Sequence, residues 1–107
     1  MIARGRETPF AGNKTEAEYR DRLRVREIAG EIAWFAYEAI TLKLAPDTRY
    51  TPDFAVMLAS GELEFHETKG GFVRDDARVK LKVAAAMFPF RFYLAQKEKG
   101  VWTITEL

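Results

Sequence analysis

The sequence predicts an α/β (α+β) fold in which two helices pack on a β-sheet, with the element order α-β-β-β-α-β-β. Two segments, residues 14–29 and 75–87, carry the boundary signals of helices. Five further segments are rich in apolar, aromatic and β-branched residues and are bounded by turn-forming residues, as strands are. A chain of 107 residues is long enough for one domain with its own core and too short for two.

Composition narrows the function classes that remain open. The chain has no cysteine, which excludes disulfides and thiolate metal sites. No apolar run approaches the roughly 20 residues of a membrane span, and the first residues lack the apolar segment of a secretory signal. We therefore expect a cytoplasmic protein with no membrane partner. The net charge of +1 neither favours nor opposes a nucleic-acid partner, so local charge clusters must decide.

The first helix and the domain boundary are predicted together. Residues 1–12 contain glycines and a proline and are expected to form a flexible N-terminal arm, whereas residues 13–107 form the single domain. Asn13 is the expected N-cap, and the acids that follow it favour the positive end of the helix dipole. The helix should cover residues 14–29 and end at Gly30.

The strands and the second helix follow from apolar runs and the breaks between them. The predicted strands are, in chain order, residues 33–45, 50–58, 62–69, 90–96 and 101–106. The last two form a hairpin around Lys99 and Gly100. The second helix, residues 75–87, begins after a Gly-Gly break and ends before Pro89.

The loop between the second and third predicted strands sets the register of a candidate site. A two-residue loop would place Phe54 opposite Glu67. A three-residue loop that ends on Gly61, where a left-handed conformation is needed, places Asp53 opposite Glu67 instead. We favour the second register because it explains the glycine. It also gathers apolar residues beside the acids, in the pairs Ala55–Phe65 and Met57–Leu63.

Two acids and an amine then meet at the end of an apolar strand face. Strand residues alternate faces, so Glu67 and Lys69 share the face of Phe65. Opposed Cβ atoms lie about 5 Å apart, and two carboxylates this close repel unless a cation or a shared proton compensates them. Mg²⁺ binds through one or two carboxylates and keeps its other positions for water and phosphate oxygens. The pattern predicts phosphodiester hydrolysis, with Asp53 and Glu67 as metal ligands and Lys69 orienting the attacking water.

These residues resemble a known family. Residues 51–54 read Thr-Pro-Asp-Phe and residues 67–69 read Glu-Thr-Lys, with a helix before them and a basic helix after them. The pattern resembles the PD-(D/E)xK nuclease superfamily over about residues 13–107, and looks more narrowly like a small phage-associated branch of it. The resemblance implies a restriction-endonuclease-like fold with a four-stranded mixed sheet flanked by helices. It also implies a Mg²⁺-dependent endodeoxyribonuclease, in which Mn²⁺ can replace Mg²⁺.

The superfamily often adds an acid from the first helix, and two candidates exist here. Glu16 shares a helix face with Tyr19 and Leu23, the expected core-facing residues. Glu18 lies beside Val25 and is the weaker candidate. We therefore expect Glu16 to be the third acid, while an ordinary role at the positive end of the helix dipole stays open for it.

Basic residues on the second helix indicate a nucleic-acid surface. Arg74, Arg78 and Lys82 recur at intervals of four residues, and like charges at that spacing slightly destabilise a helix unless an anion such as phosphate neutralises them. Lys80 extends this surface, and Lys14 adds a contact from the first helix. An ordinary solvated helix face is the alternative interpretation of the same pattern.

Further expectations about partners rest on the resemblance. It implies cleavage of branched DNA, such as a Holliday junction in phage replication or recombination, by a symmetric homodimer. The alternatives are a non-catalytic nucleic-acid-binding module with the same fold, and a structural phage protein with a vestigial site. No Walker loop or dinucleotide glycine motif is present, so we expect no nucleotide cofactor. The single histidine, His66, points away from Glu67 and is interpreted as structural.

Overall fold

The architecture is a five-stranded mixed sheet covered by a helix on each face, with a second, two-stranded sheet beside it. The computed structural model describes residues 9–70 and 75–107. Its elements are α1 (Lys14–Ile28), β1 (Ile32–Tyr37), β2 (Leu42–Ala45), β3 (Thr48–Tyr50), β4 (Phe54–Leu58), β5 (Leu63–Gly70), α2 (Asp75–Met87), β6 (Arg91–Glu98) and β7 (Val101–Glu106).

The large sheet has the strand order β1-β4-β5-β6-β7. Its central pair, β5 and β6, is parallel, and the other pairs are antiparallel. A parallel pair needs a long crossover, and α2 supplies it between β5 and β6. The predicted α+β class, with a mixed sheet and two flanking helices, is confirmed in the described residues.

The predicted element order is wrong in two places. The expected strand over residues 33–45 is two strands, because the backbone turns at Glu38, where φ is +47°. The expected strand over residues 50–58 is also two strands, β3 and β4, separated by a segment that contains Pro52. Proline has no N–H to continue a strand ladder, which accounts for the break. The described order is therefore α-β-β-β-β-β-α-β-β, and the main sheet has five strands rather than four.

The hairpin register that defines the candidate site is confirmed. β4 and β5 pair Ala55 with Phe65 and Met57 with Leu63. The Leu58 N–H donates to the Glu62 carbonyl at 2.8 Å, which leaves residues 59–61 as the connecting loop. The last of them, Gly61, has a φ of +93°, in the left-handed region that favours glycine. The second helix is also confirmed, with the predicted bounds.

The core lies in two clusters on opposite faces of the large sheet. α1 covers one face through Tyr19 and Leu23, each only 1 % exposed. α2 covers the other face through Leu81 and Ala84, which pack on the β5 residue Phe65. The small sheet β2–β3 closes the α2 side, because Leu42 and Tyr50 belong to that cluster. In the described part of the chain, neither helix is long and apolar enough to span a membrane.

Candidate active site

Asp53 and Glu67 lie side by side at the open end of the β4–β5 hairpin. Asp53 immediately precedes β4, and continuing the observed register by one residue sets it opposite Glu67. Both side chains are buried, with exposures of 7 % and 6 %. The Asp53 backbone N–H donates to Glu67 Oε1 at 3.3 Å. The three-residue loop at the far end of the hairpin therefore fixes the two acids next to each other.

The break before β4 gives Asp53 its hydrogen bonds. In this register Thr68 would face Pro52, which cannot complete a hydrogen-bonded strand pair because its nitrogen carries no hydrogen. Asp53 Oδ2 accepts the Thr68 N–H at 2.8 Å and the Thr68 hydroxyl at 2.9 Å instead. Both of these bonds end on Oδ2, so they leave Oδ1 for another contact.

The electrostatic cost of the acid pair appears at Asp53. Burial, and then the neighbouring charge of Glu67, raise the pKa of Asp53 to about 7, although the Thr68 hydrogen bonds act in the opposite direction. A carboxyl with this pKa is only partly ionised near neutral pH. A divalent cation beside it would favour the ionised form of both acids.

Tyr50 and Lys69 contact the other acid. The Tyr50 hydroxyl donates to Glu67 Oε1 at 2.7 Å, and Lys69 Nζ lies 3.3 Å from Glu67 Oε2. Burial and the nearby Glu67 raise the pKa of Tyr50 far above its usual range, so the hydroxyl remains a donor. The structure therefore brings together Asp53, Glu67 and Lys69.

Glu16 lies near this group but has a role in the helix end. Asn13 and Glu16 form a reciprocal capping box, in which each side chain accepts the other residue's backbone N–H at 2.8 Å. Glu16 Oε1 also accepts the Tyr37 hydroxyl at 3.1 Å. The charge of Glu16 is a smaller cause of the raised Asp53 pKa, after burial and Glu67.

In the described residues, the predicted third acid does not complete a set of metal ligands with Asp53 and Glu67. Glu18, the other candidate, forms an ion pair with Lys97 of β6 instead. Among the described residues, no three side chains of Asp, Glu or His converge closely enough to hold a metal ion. Glu16 therefore lies at the margin of the Asp53–Glu67 pair rather than within it.

His66 lies on the opposite sheet face, as expected from strand alternation. Its Nδ1 shares a 2.6 Å hydrogen bond with the Tyr19 hydroxyl, and its Nε2 lies 3.0 Å from Glu64 Oε1. The ring is buried against α1, with an exposure of 3 %. These contacts tie α1 to β5, in keeping with the structural interpretation.

The predicted basic residues occupy two places in the fold. Arg78, Lys80 and Lys82 are exposed on α2, and Lys14 is exposed at the start of α1. Lys80 Nζ donates to the backbone carbonyl of Arg49 in β3 at 3.2 Å. Arg74 lies outside the described residues.

Two members of the site were missed by the sequence analysis, Tyr50 and Thr68. Their hydrogen bonds depend on the interruption between β3 and β4, which the prediction of one continuous strand concealed. Pro52 was the available signal, because a proline inside an apolar run argues against an unbroken strand.

Comparison of the chain with family models, with curated proteins and with solved structures finds no match. The resemblance to PD-(D/E)xK nucleases therefore rests on the sequence motif alone.

Proposed function

We propose that the chain is a metal-dependent endodeoxyribonuclease that hydrolyses DNA phosphodiesters. The proposal is carried by one observation, the buried pair Asp53 and Glu67 with Lys69 Nζ 3.3 Å from the second carboxylate. Buried like charges cost stability, and strongly shifted carboxyls are concentrated at functional sites. A metal site gives this arrangement a reason that folding alone does not.

The donor atoms fit a hard divalent cation. Carboxylate oxygens suit Mg²⁺ and Mn²⁺, and Mg²⁺ needs only one or two of them because water and phosphate oxygens complete its coordination. The chemistry that such a cation supplies to phosphodiester hydrolysis is that of a Lewis acid.

The side chains around the cation would have separate roles. Asp53 and Glu67 hold the cation, while Tyr50 and Thr68 keep these two carboxyl groups in position through the hydrogen bonds described above. The Lys69 ammonium orients the attacking water and stabilises negative charge that develops on the phosphate. Glu16 adds negative charge next to Asp53.

A finer proposal concerns the fold family and the substrate. The order of motifs resembles restriction-endonuclease-like enzymes, and by this analogy the substrate is branched DNA, such as a Holliday junction in phage replication or recombination. The same analogy assigns cleavage of both strands to a symmetric homodimer.

A non-catalytic nucleic-acid-binding module is the second candidate. One observation favours it: both acids are engaged by protein donors, and no third ligand converges on them in the described residues. Metal dependence separates the candidates, because only the nuclease needs a cation for its activity.

The test is incubation with Mg²⁺ or Mn²⁺ and a panel of supercoiled, linear, nicked, flapped and four-way DNA. We expect cleavage that EDTA abolishes and that Asp53→Ala and Lys69→Ala each reduce by roughly 10²-fold or more. Asp21→Asn is the matched control, because this aspartate is 72 % exposed and lies on the outer part of α1. Cleavage by Asp53→Ala at the rate of the unmodified chain would refute the assignment. DNA binding with no cleavage of any substrate in the presence of Mg²⁺ or Mn²⁺ favours the second candidate.

A further inference from the structure

The two-stranded sheet presents two cations directly opposite each other. Strand alternation in β2 and β3 turns Leu42 and Tyr50 into the core and leaves Lys43 and Arg49 exposed. The register pairs Lys43 with Arg49. Like charges at opposed positions destabilise a strand pair, so folding alone gives no reason for this arrangement.

The neighbouring helix brings a third cation to the same place. Lys80 of α2 donates from Nζ to the Arg49 carbonyl at 3.2 Å, so its charge lies beside the hairpin. Arg78 and Lys82 are exposed on the same helix. The β2–β3 hairpin and α2 thus form one basic surface, which we define by Lys43, Arg49 and Lys80.

The three cations of the basic surface form no ion pair within the described residues. The described cations that form ion pairs are Arg20, Arg24 and Arg26 of α1, Lys69 of β5, His66 when protonated, and Lys97 of β6. None of the ion pairs in residues 9–70 and 75–107 involves Lys43, Arg49 or Lys80. No ion pair of the described residues therefore competes with an external anion for Lys43, Arg49 and Lys80.

The hairpin that carries Lys43 and Arg49 is linked to the candidate active site through Tyr50. Tyr50, the residue after Arg49, donates its hydroxyl to Glu67 Oε1 at 2.7 Å. The hydroxyls of Thr41 and Thr51, which flank the two strands, lie within 2.7 Å of each other and close the base of the hairpin. The hairpin that carries Lys43 and Arg49 is thus anchored at the acid pair by Tyr50, whose side chain lies on the strand face opposite that of Arg49.

We propose that the β2–β3 hairpin is a second DNA contact, in which Lys43, Arg49 and Lys80 bind backbone phosphates. The inference rests on the proposed function for the identity of its ligand. The proposal assigns a role to Lys43 and Arg49, which are not part of the Asp53–Glu67–Lys69 motif. Such contacts position DNA without reading its sequence.

The test is the salt dependence of DNA binding by the full chain in EDTA, where cleavage is suppressed. The probe is a fluorescently labelled 30-base-pair duplex, and anisotropy gives Kd between 50 and 300 mM NaCl. Each phosphate contact contributes about −0.9 to the slope of log affinity against log salt. We expect the double variant Lys43→Gln/Arg49→Gln to make the slope shallower by about 1.8 and to weaken binding at least tenfold at 100 mM NaCl.

The matched control is Arg20→Gln/Arg24→Gln, which removes the same charge from α1. We expect it to leave the slope unchanged. Thermal unfolding of both variants checks the fold, and the hairpin variant should be no less stable because it relieves repulsion between Lys43 and Arg49. An unchanged slope in the hairpin variant, an equal change in the control, or no DNA binding by the unmodified chain would overturn the inference.

These outcomes are separable from those that test the nuclease. Metal-dependent cleavage combined with an unaltered hairpin-variant slope overturns the DNA contact and leaves the proposed function standing. Hairpin-dependent binding with no cleavage under any metal does the reverse.

Discussion

The environment of Asp53 opposes the ionised form of its carboxyl group. Burial and Glu67 raise its pKa to about 7, whereas an aspartate in an unfolded chain titrates near 4. Between these two values the folded state binds more protons than the unfolded state. The free energy of unfolding therefore falls as the pH rises from about 4 to about 7, and the loss is complete above pH 7.

A substitution that keeps the shape of Asp53 and removes its charge tests this linkage. Asp53→Asn retains an oxygen that can accept the Thr68 hydrogen bonds. We predict that the metal-free variant is more stable than the unmodified chain at pH 8, with a Tm higher by about 4–8 °C for each kcal/mol of relieved repulsion. The difference should shrink towards pH 4, where the unmodified residue is protonated. Equal Tm values of the two proteins at pH 8 would show that the charge of Asp53 does not destabilise the folded state.

Tyr50 is the second residue whose environment leads to a specific expectation. Tyr50→Phe keeps the ring in the core and removes the donor to Glu67, at a cost of roughly 1.5–3 kcal/mol for a hydrogen bond to a charged group. We predict a lower Tm and slower cleavage per folded molecule, because Glu67 loses its orientation. Tyr93→Phe is the control, since Tyr93 lies on the other sheet face beside His66. Cleavage unaffected by Tyr50→Phe would restrict Tyr50 to a structural role.

At the scale of residues, sequence reasoning located the acids but not what holds them. Asp53, Glu67 and Lys69 were predicted together because one glycine, Gly61, determines the hairpin register. The donors Tyr50 and Thr68 could not be predicted in the same way. Their bonds require atomic positions that arise only after the chain has broken its ladder at Pro52.

At the scale of elements, the start of α1 joins helix stability to the site. Asn13 and Glu16 cap the helix reciprocally, while Glu16 also accepts the Tyr37 hydroxyl and adds charge near Asp53. The capping role of Glu16 needs only a hydrogen-bond acceptor, whereas the charge role needs a negative charge. A glutamine can keep the box but not the charge, because its amide oxygen accepts the same hydrogen bond.

Two substitutions in this cap separate its roles. Asn13→Ala is predicted to lower stability by about 1 kcal/mol, and so lower Tm by about 4–8 °C, with little change in cleavage per folded molecule. Glu16→Gln is predicted to leave Tm nearly unchanged and to slow cleavage if the charge of Glu16 serves the site. Circular dichroism melts and plasmid nicking measure the two effects. If Glu16→Gln nicks plasmid as fast as the unmodified chain does, the only role of Glu16 is to cap the helix.

The wrong prediction of the strand over residues 33–45 is also explained at the scale of elements. Residues 33–45 form a long apolar and aromatic run, and such a pattern reports burial without reporting which sheet each part joins. The turn at Glu38 sends β2 to the small sheet, although its non-glycine φ of +47° gave no signal in the sequence. Long-range pairing, rather than local preference, decides this division.

At the scale of the whole molecule, the two sheet faces serve different purposes. The α1 face holds the buried Tyr19–His66 contact, whereas the α2 face carries the acid pair and packs against the β2–β3 hairpin. The order of helix and strands predicted that α2 would follow the Glu67 strand. It did not predict the small sheet, which carries Lys43 and Arg49 and contacts α2, because β2–β3 pairing depends on the two unforeseen breaks.

Metal binding gives the final prediction at this scale, because a ligand that binds only the folded state stabilises the entire fold. The stabilisation is about 2.7 kcal/mol when the free metal is at a hundred times its Kd. We predict that Mn²⁺ raises Tm at pH 8 and raises it less at pH 5.5, where protons compete for Asp53. Asp53→Asn should abolish the rise, whereas Asp21→Asn, which removes an exposed aspartate, should preserve it. A rise that is independent of pH and survives Asp53→Asn would place the cation elsewhere and remove the basis for the nuclease assignment.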